Sequence, residues 1–192
     1  MRGESIDTLH AIKTRRSIGK VKDAPVSNEL IEQVLEAGTY APNHYRTEPW
    51  RFFVLTGDSR YKLAEVLAEV AEETAGNKIE AAARAERART MPLRAPVIIA
   101  VGAVYTDQKN VVQKEEYAAV CCAVQNMLLA AHDLGLGAMW RTGQACYHPK
   151  ITQFFGLPHR SEMAAFLYIG HTDRQPPDVK KNGYVPFTVW MN

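Results

Sequence analysis

The chain has 192 residues, of which 46% are hydrophobic and 23% charged, and its formal net charge at pH 7 is +2. This length suits one domain with a sizeable core, and so small a charge gives no reason to expect nucleic acid or a membrane surface as a partner. Cys121, Cys122 and Cys146 form no C-x-x-C pair, so we expect neither a zinc site nor disulfides, and a cytoplasmic location. We also expect no signal peptide and no membrane span.

Helices are predicted for much of the first half of the chain. Ser5 is expected to cap a short helix, and Ser27 to cap a second one over "PVSNELIEQVLEAG". The stretch "WRFFVLTG" is typical of a buried strand. Asp58 then begins a long helical region, which Gly76-Asn77 should interrupt and Pro92 should end.

The second half alternates strands with helices. "APVIIAVGAVY", "GAMWRTG" and "EMAAFLYIGH" are predicted strands, and the first is apolar enough for the centre of a sheet. "KEEYAAVCCAVQNMLLAAHDLGLG" is the longest predicted helix, with Gly135 as its left-handed C-cap, and "HPKITQFFGL" is a short helix. We therefore expect residues 1–192 to form one layered α+β domain with a central sheet.

The tail, residues 172–192, carries Tyr184, Phe187 and Trp190 but little helical pattern. Apolar side chains that follow a complete domain must be buried against something. We expect the tail to pack on a partner subunit.

Two adjacent arginines and a hydroxyl, Arg15-Arg16-Ser17, stand at the end of the first predicted helix. Cations there favour the negative end of the helix dipole, so simple helix termination is one interpretation. The other is an anion site, because paired guanidiniums bind oxyanions through forks of donors. No G-x-G-x-x-G or Walker-type loop is present to hold a phosphate instead.

Two further segments have the composition of binding loops. "APNHYRTEPWRFFV" runs from a helix end through a polar loop into a strand, although it is equally a connection whose Trp50 closes the core. In "GLGAMWRTG", glycines flank Trp140-Arg141-Thr142, so the backbone there can approach a ligand closely. The alternative is a turn with a core tryptophan.

These three segments, in this order, resemble the nitroreductase family of FMN-dependent oxidoreductases, and the "WRTG" form resembles its short branch. The resemblance extends roughly from Ile6 to Gly170. It implies a central, largely antiparallel or mixed sheet flanked by helices. It also implies a homodimer with FMN at the subunit interface, each flavin being contacted by both chains.

Site residues follow from the resemblance. Arg15, Arg16 and Ser17 would bind the flavin phosphate and ribityl chain, and Tyr40 and His44 would reach the same flavin from the other subunit. Trp140, Arg141 and Thr142 would lie along it. The nicotinamide cofactor would bind near the end of the long helix, at Ala130, Ala131, His132, Asp133, Leu134 and Gly135. No metal is implied.

The chain departs from the common family pattern at several positions. Asn43, His44, Arg46 and Glu48 replace the usual loop residues. Gly19, followed by Lys20, stands where many members have a basic residue. Lys180-Lys181 is either a substitute for a late phosphate-binding pair or a solvated linker. The cation expected beside the reduced flavin is therefore open among Arg16, Lys20 and Arg46.

The implied activity is electron transfer from NADH or NADPH through FMN to nitroaromatics, quinones or related small acceptors, with ping-pong turnover. His44 would hydrogen-bond the flavin or donate a proton to the product. One alternative is a dehalogenating or flavin-fragmenting relative, with residues 58–92 as a substrate lid. Another is a flavin-binding or sensing module without turnover. The arginines of "RAERARTMPLR" suggest nucleic acid less than a solvated helix face.

Overall fold

The computed structural model describes residues 7–174 and 179–191. Helix α1 (Thr8–Thr14) is capped by Asp7, whose carboxylate accepts hydrogen bonds from the N–H groups of Leu9 and His10. The expected cap, Ser5, lies outside the described residues, and Asp7 takes that role because its two acceptor bonds satisfy free N–H groups of the first turn. Helix α2 (Asn28–Thr39) has the predicted cap, with Ser27 accepting from the N–H of Leu30.

Four strands form one sheet in the order β1-β2-β4-β3, and every neighbouring pair is antiparallel. They are β1 (Trp50–Leu55), β2 (Val97–Val104), β3 (Leu136–Arg141) and β4 (Ser161–His171). Nearly every residue of the two central strands is buried, as the apolar run of β2 predicts. The expected α+β class with a largely antiparallel central sheet is confirmed.

Helical layers cover both faces of the sheet. On one face, α5 (Gln113–Asp133) packs with α2, and fully buried side chains such as Val124 and Met127 join the strand residues in one core. On the other face lie α3 (Asp58–Glu73), α4 (Lys78–Thr90) and the short α6 (Pro149–Phe154), over a second core that contains Leu63 and Met163. The predicted break at Gly76-Asn77 is present, and Asn77 caps α4 by accepting from the N–H of Glu80.

The segment after α1 is fixed to the edge of the sheet. The N–H of Ile18 donates to the carbonyl of Ala138 in β3 over 2.9 Å, and the N–H of Lys22 donates to that of His171 in β4 over 2.8 Å. At Gly137 a Cβ would lie 2.9 Å from Val21 Cγ1, so only a glycine lets this segment pack so close. The edge contacts hold the chain from Arg15 onward beside the end of β3.

The described part of the tail, 179–191, contains one 3₁₀ turn, Val185–Phe187. From position 184 onward its large apolar side chains are 68–93% exposed, and they are Tyr184, Val185, Phe187, Val189, Trp190 and Met191. Such a run of exposed apolar residues is unusual on an isolated globular chain. None of the described helices is both long and apolar enough to cross a membrane.

Candidate functional site

Arg16 uses only part of its guanidinium to terminate α1. Its Nη1 donates to the carbonyls of Lys13 and Arg15, at 2.6 and 3.0 Å, and so satisfies C-terminal groups of α1. Its Nε is buried and has no hydrogen-bond partner among the described residues. A buried, unpaired guanidinium N–H is costly, so this edge is suited to an incoming acceptor.

Arg141 presents a second guanidinium of this kind at the end of β3. Its Nε is also buried without a partner among the described residues. Its guanidinium carbon lies 5.2 Å from the ring centroid of Tyr168, a cation–π contact that orients the group. Burial raises the pKa of Tyr168 to about 12, so this ring is neutral in the working range.

Gly19 connects the two arginine segments. A Cβ on Gly19 would lie 3.1 Å from Arg141 Nη2 and 2.8 Å from Met139 Sδ. The Arg141 guanidinium therefore fills the space that a side chain at position 19 would need. This explains the glycine where a basic residue is usual: a cation occupies the place, but it comes from β3. The structure thus brings Arg15-Arg16-Ser17 and Arg141 together.

Trp140 and Arg141 point to opposite faces, as neighbours in a strand do. Trp140 is half-buried and packs on the core beneath α5, and its Nε1 donates to the carbonyl of Ala164 over 3.1 Å. Its side chain therefore has the core role that the sequence offered as the alternative to ligand binding. Thr142 is exposed, and Gly143, with φ of 119°, turns the backbone in a way that glycine favours. The polar members Arg141 and Thr142 are the ones available to a ligand.

A cavity of about 320 Å³ lies between the end of β3 and the α3–α4 pair. Its wall is mainly apolar, with Val70, Met91 and Phe166, and three guanidiniums also line it, those of Arg84, Arg87 and Arg141. From the sequence, Arg84 and Arg87 of α4 are expected on a solvated helix face. Their spacing of three residues shows that they share one face of the helix, but only the packing shows that this face looks into a cavity.

Cys146 lines the same cavity without being reactive. It is buried, and burial raises the pKa of its thiol to about 12. A thiolate is therefore absent near neutral pH, and Cys146 contributes apolar surface only. The described residues also contain no group of three His, Cys, Asp or Glu side chains placed to hold a metal ion.

The loop between α2 and β1 is strained and polar. A 3₁₀ turn runs over His44–Arg46, and the φ angles of Tyr45, Arg46 and Glu48 are 58°, 54° and 47°, in the left-handed region that non-glycine residues seldom adopt. His44 stacks on Tyr45 with ring centroids 4.1 Å apart, and its Nδ1 lies 2.8 Å from Glu115 Oε2. Strain of this kind is frequent in functional loops.

The two predicted halves of the flavin site lie at opposite ends of α5. His44 contacts Glu115 near the start of the helix, whereas Thr14, next to Arg15, contacts His132 near its end, with Oγ1 and Nε2 2.9 Å apart. Glu115 and His132 are seventeen positions apart, which at 1.5 Å per residue separates them by about 25 Å. A single chain therefore does not bring His44 to Arg15-Arg16-Ser17.

The predicted nicotinamide segment borders α1 at the end of α5. Tyr40, 77% exposed, shares a shallow groove with Ala130 and Leu134. Thr14 Oγ1 donates to the carbonyl of His10 over 2.7 Å, so its oxygen accepts from His132 Nε2–H. Burial, with Arg15 as the next cause, lowers the pKa of His132. Four cations that the sequence suggested for the flavin or its phosphate are exposed: Lys20, Arg46, Lys180 and Lys181.

A four-stranded antiparallel sheet between two helical layers, with buried guanidinium Nε atoms unpaired at one sheet edge, is a nitroreductase-like fold. The Nitroreductase family model matches residues 12–171, and the chain belongs to that family. YdjA of Escherichia coli, whose name assigns it provisionally to the NAD(P)H nitroreductases, is 33% identical over 165 residues, covering 86% of this chain and 88% of YdjA. The resemblance predicted from the three segments is confirmed.

Solved structures agree with this assignment. A nitroreductase-like family protein from Bacillus cereus superimposes with a TM-score of 0.85 at 27% identity, covering 98% of each chain. A provisionally assigned nitroreductase from Desulfovibrio desulfuricans, solved in complex with FMN, gives a TM-score of 0.72 at 28% identity, covering 96% of each chain. The alignments cover nearly the whole chain, so the fold assignment applies to both helical layers.

Proposed function

We propose that the chain is an FMN-dependent NAD(P)H oxidoreductase that reduces nitroaromatics, quinones or related small acceptors. The observation that carries this proposal is the pair of buried guanidinium edges, on Arg16 and Arg141, without partners among the described residues. The chain that carries them belongs to a family in which a Desulfovibrio protein was solved in complex with FMN and an E. coli protein bears an NAD(P)H nitroreductase name. Two guanidiniums on adjoining segments suit an anionic cofactor.

The donor set fits FMN. Arg15, Arg16 and Ser17 would hold its phosphate and ribityl chain, and Arg141 and Thr142 would lie along the ring system. Side chains must do this because the chain lacks a glycine-rich phosphate loop. Bound FMN supplies the redox chemistry, since it accepts a hydride and passes on an electron pair. The protein binds and orients it, and the cation–π contact with Tyr168 keeps Arg141 in place.

The separation of about 25 Å along α5 supports a homodimer with a shared site. If His44 and Arg16 serve the same flavin, they must come from different subunits. Tyr40 shares a groove with Ala130 and Leu134, so it lies toward the end of α5 beside α1 and not with His44. The exposed apolar tail, 184–191, supports a permanent dimer, because packing on a second subunit would bury it. The single-domain organisation and the tail's position on the partner remain part of this proposal.

His44 has a defined orientation for its role. A carboxylate only accepts, so His44 donates Nδ1–H to Glu115 Oε2, and Nε2 stays available for the flavin or for moving a proton to the product. The nicotinamide cofactor would bind along Ala130–Gly135, beside α1. Donor and acceptor would react in turn with the same flavin, which gives ping-pong kinetics. Use of NAD(P)H agrees with the cytoplasmic location predicted from the cysteines.

The test is the absorbance spectrum of the purified protein, followed by anaerobic addition of NADH or NADPH. We expect a yellow protein that releases FMN on denaturation and is bleached by at least one donor. A colourless protein that cannot be reconstituted with FMN would contradict the proposal. A flavin that binds but is reduced by neither donor would favour the sensing module.

Initial rates with NAD(P)H and a quinone test whether the two substrates react in turn with one flavin. Parallel double-reciprocal lines are expected, and intersecting lines, which indicate a ternary complex, would contradict it.

A further inference from the structure

The cavity beneath α3 and α4 combines an apolar wall with a cationic mouth. Met91 and Phe166 belong to the wall, while Arg84 and Arg87 are exposed residues of α4 that line the cavity from the side of the solvent. Arg141 lies deeper, at the end of β3. Among the described residues that line the cavity, none carries a carboxylate. A ligand with a flat apolar body and an anionic edge complements this arrangement.

The α4 arginines differ in how they are paired. Arg84 donates to the carbonyl of Thr74 over 3.2 Å and lies 3.4 Å from Glu80, so it closes the turn between α3 and α4. Arg89 is half-buried between α4 and α3, where Glu65, Glu72 and Glu86 surround its guanidinium within 3.0 to 3.9 Å. Arg87, in contrast, has no hydrogen bond or ion pair from its guanidinium to any residue in the described ranges.

The free arginine lies next to the proposed redox site. Arg141, Thr142 and Gly143 line both the cavity and the expected course of the flavin ring. The phosphate does not need Arg87, because Arg15, Arg16 and Ser17 provide its donors on the neighbouring segment. A charge at an apolar mouth beside the ring system is suited to the other molecule that must bind there, the electron acceptor.

We propose that Arg87 selects aromatic electron acceptors that carry an anionic substituent, such as a carboxylate. This inference rests on the proposed function. The aromatic ring packs on the apolar wall, and the carboxylate pairs with the Arg87 guanidinium at the mouth, with Arg84 beside it. For a nitrobenzoate, the nitro group takes two electrons and one proton from NAD(P)H and a second proton from solvent. One N–O bond breaks, leaving a nitroso group, water and NAD(P)⁺.

The experiment compares two acceptors that share the nitrobenzene ring and differ by one para carboxylate, nitrobenzene and 4-nitrobenzoate, with FMN-loaded protein. Wild type is expected to have the higher kcat/KM for 4-nitrobenzoate. Arg87→Gln should lower that value about 10-fold, the effect of one charge-assisted hydrogen bond, and leave nitrobenzene within about twofold. Arg87→Lys should restore part of the preference, because the charge remains but the fork geometry is lost. Added salt should reduce the preference of wild type.

Arg89→Gln is the matched control, because it removes the same charge from the same helix at a side chain that does not line the cavity. It should leave both acceptors unchanged. A second readout is independent of turnover: calorimetric titration with benzoate, which cannot be reduced, measures the anion site directly. Arg87→Gln should weaken benzoate binding by about the same 10-fold, and Arg89→Gln should not.

The contradicting outcomes are distinct. Equal losses for both acceptors, an equal effect of Arg89→Gln, or benzoate binding that Arg87→Gln does not change would overturn the proposal. A loss of bound FMN in Arg87→Gln would assign this arginine to the cofactor instead. If wild type binds benzoate through Arg87 but never binds or reduces a flavin, the proposed function fails while the anion site stands. Equal wild-type kcat/KM values for nitrobenzene and 4-nitrobenzoate would overturn the proposal and leave the proposed function standing.

Discussion

Replacing Arg141 with glutamine separates a cofactor contact from a structural one. The Arg141 Nε has no hydrogen-bond partner among the described residues, so the substitution breaks no hydrogen bond of that atom in the fold. What the fold loses is the contact with the Tyr168 ring at 5.2 Å, about 0.5–1 kcal/mol for a partly exposed cation. Glutamine ends about where the arginine Nε lies, so it leaves the space of Arg141 Nη2 beside Gly19 unfilled and introduces no steric clash there.

The cost to FMN binding should be larger than the cost to the fold. A hydrogen bond to a charged group contributes about 1.5–3 kcal/mol, which weakens the dissociation constant about 10- to 150-fold. The apoprotein should lose only about 2–4 °C in Tm, the effect of about 1 kcal/mol on a chain of this size. FMN affinity and stability are thus expected to change to clearly different extents.

Titration of apoprotein with FMN, followed by quenching of flavin fluorescence, gives the dissociation constant, and a thermal melt of the same sample gives Tm. Arg89→Gln serves again as the charge-matched control and should bind FMN like wild type. A folded Arg141→Gln protein with wild-type affinity would refute the assignment of Arg141 to the flavin. A loss of Tm well above 4 °C with unchanged affinity would make its role structural.

Three further results are expected. Arg16→Ala should weaken FMN binding about 10- to 150-fold, and Arg16→Lys should recover only part of it, whereas unchanged titrations would return Arg16 to helix termination alone. Because the pKa of His132 is lowered, the apoprotein should lose stability as pH falls through the ordinary value of 6.5. His132→Gln should flatten that dependence in urea unfolding at about pH 5.5 and 7.5, and an equally steep dependence would rule His132 out. Combined Phe187→Ser and Trp190→Ser should give monomers in sedimentation experiments, and an intact dimer would contradict the role of the tail.

Local signals in the sequence were sufficient for most elements of the fold. Gly135 marks the end of α5 because glycine readily adopts the positive φ of a left-handed cap. Ser27 marks the start of α2 because its side-chain oxygen accepts from a free N–H group of the first turn. Gly76-Asn77 separates α3 from α4 for the same reason. The first cap was the exception: Ser5 and Asp7 are both good cap residues, and propensity alone does not rank two candidates two residues apart.

The parts of the site that depend on distant contacts were not predictable. Gly19 was noted as a departure, but nothing local shows that Arg141, far along the chain, fills its space. Arg87 and Arg89 are indistinguishable by composition, and only the packing of α4 directs one toward a cavity and the other toward glutamates. Likewise, the distance between His44 and Arg16 follows from which ends of α5 they contact.

A mixed dimer tests most directly whether one redox site is assembled from two chains. Arg16→Ala and His44→Ala should each impair activity as homodimers. In a mixed dimer, isolated by co-expression with two different tags, one site would then carry both substitutions and the other neither. About half of the wild-type activity should return if the two sites are independent. If no activity returns although both chains are folded and present, each site lies within one chain and the shared site is contradicted.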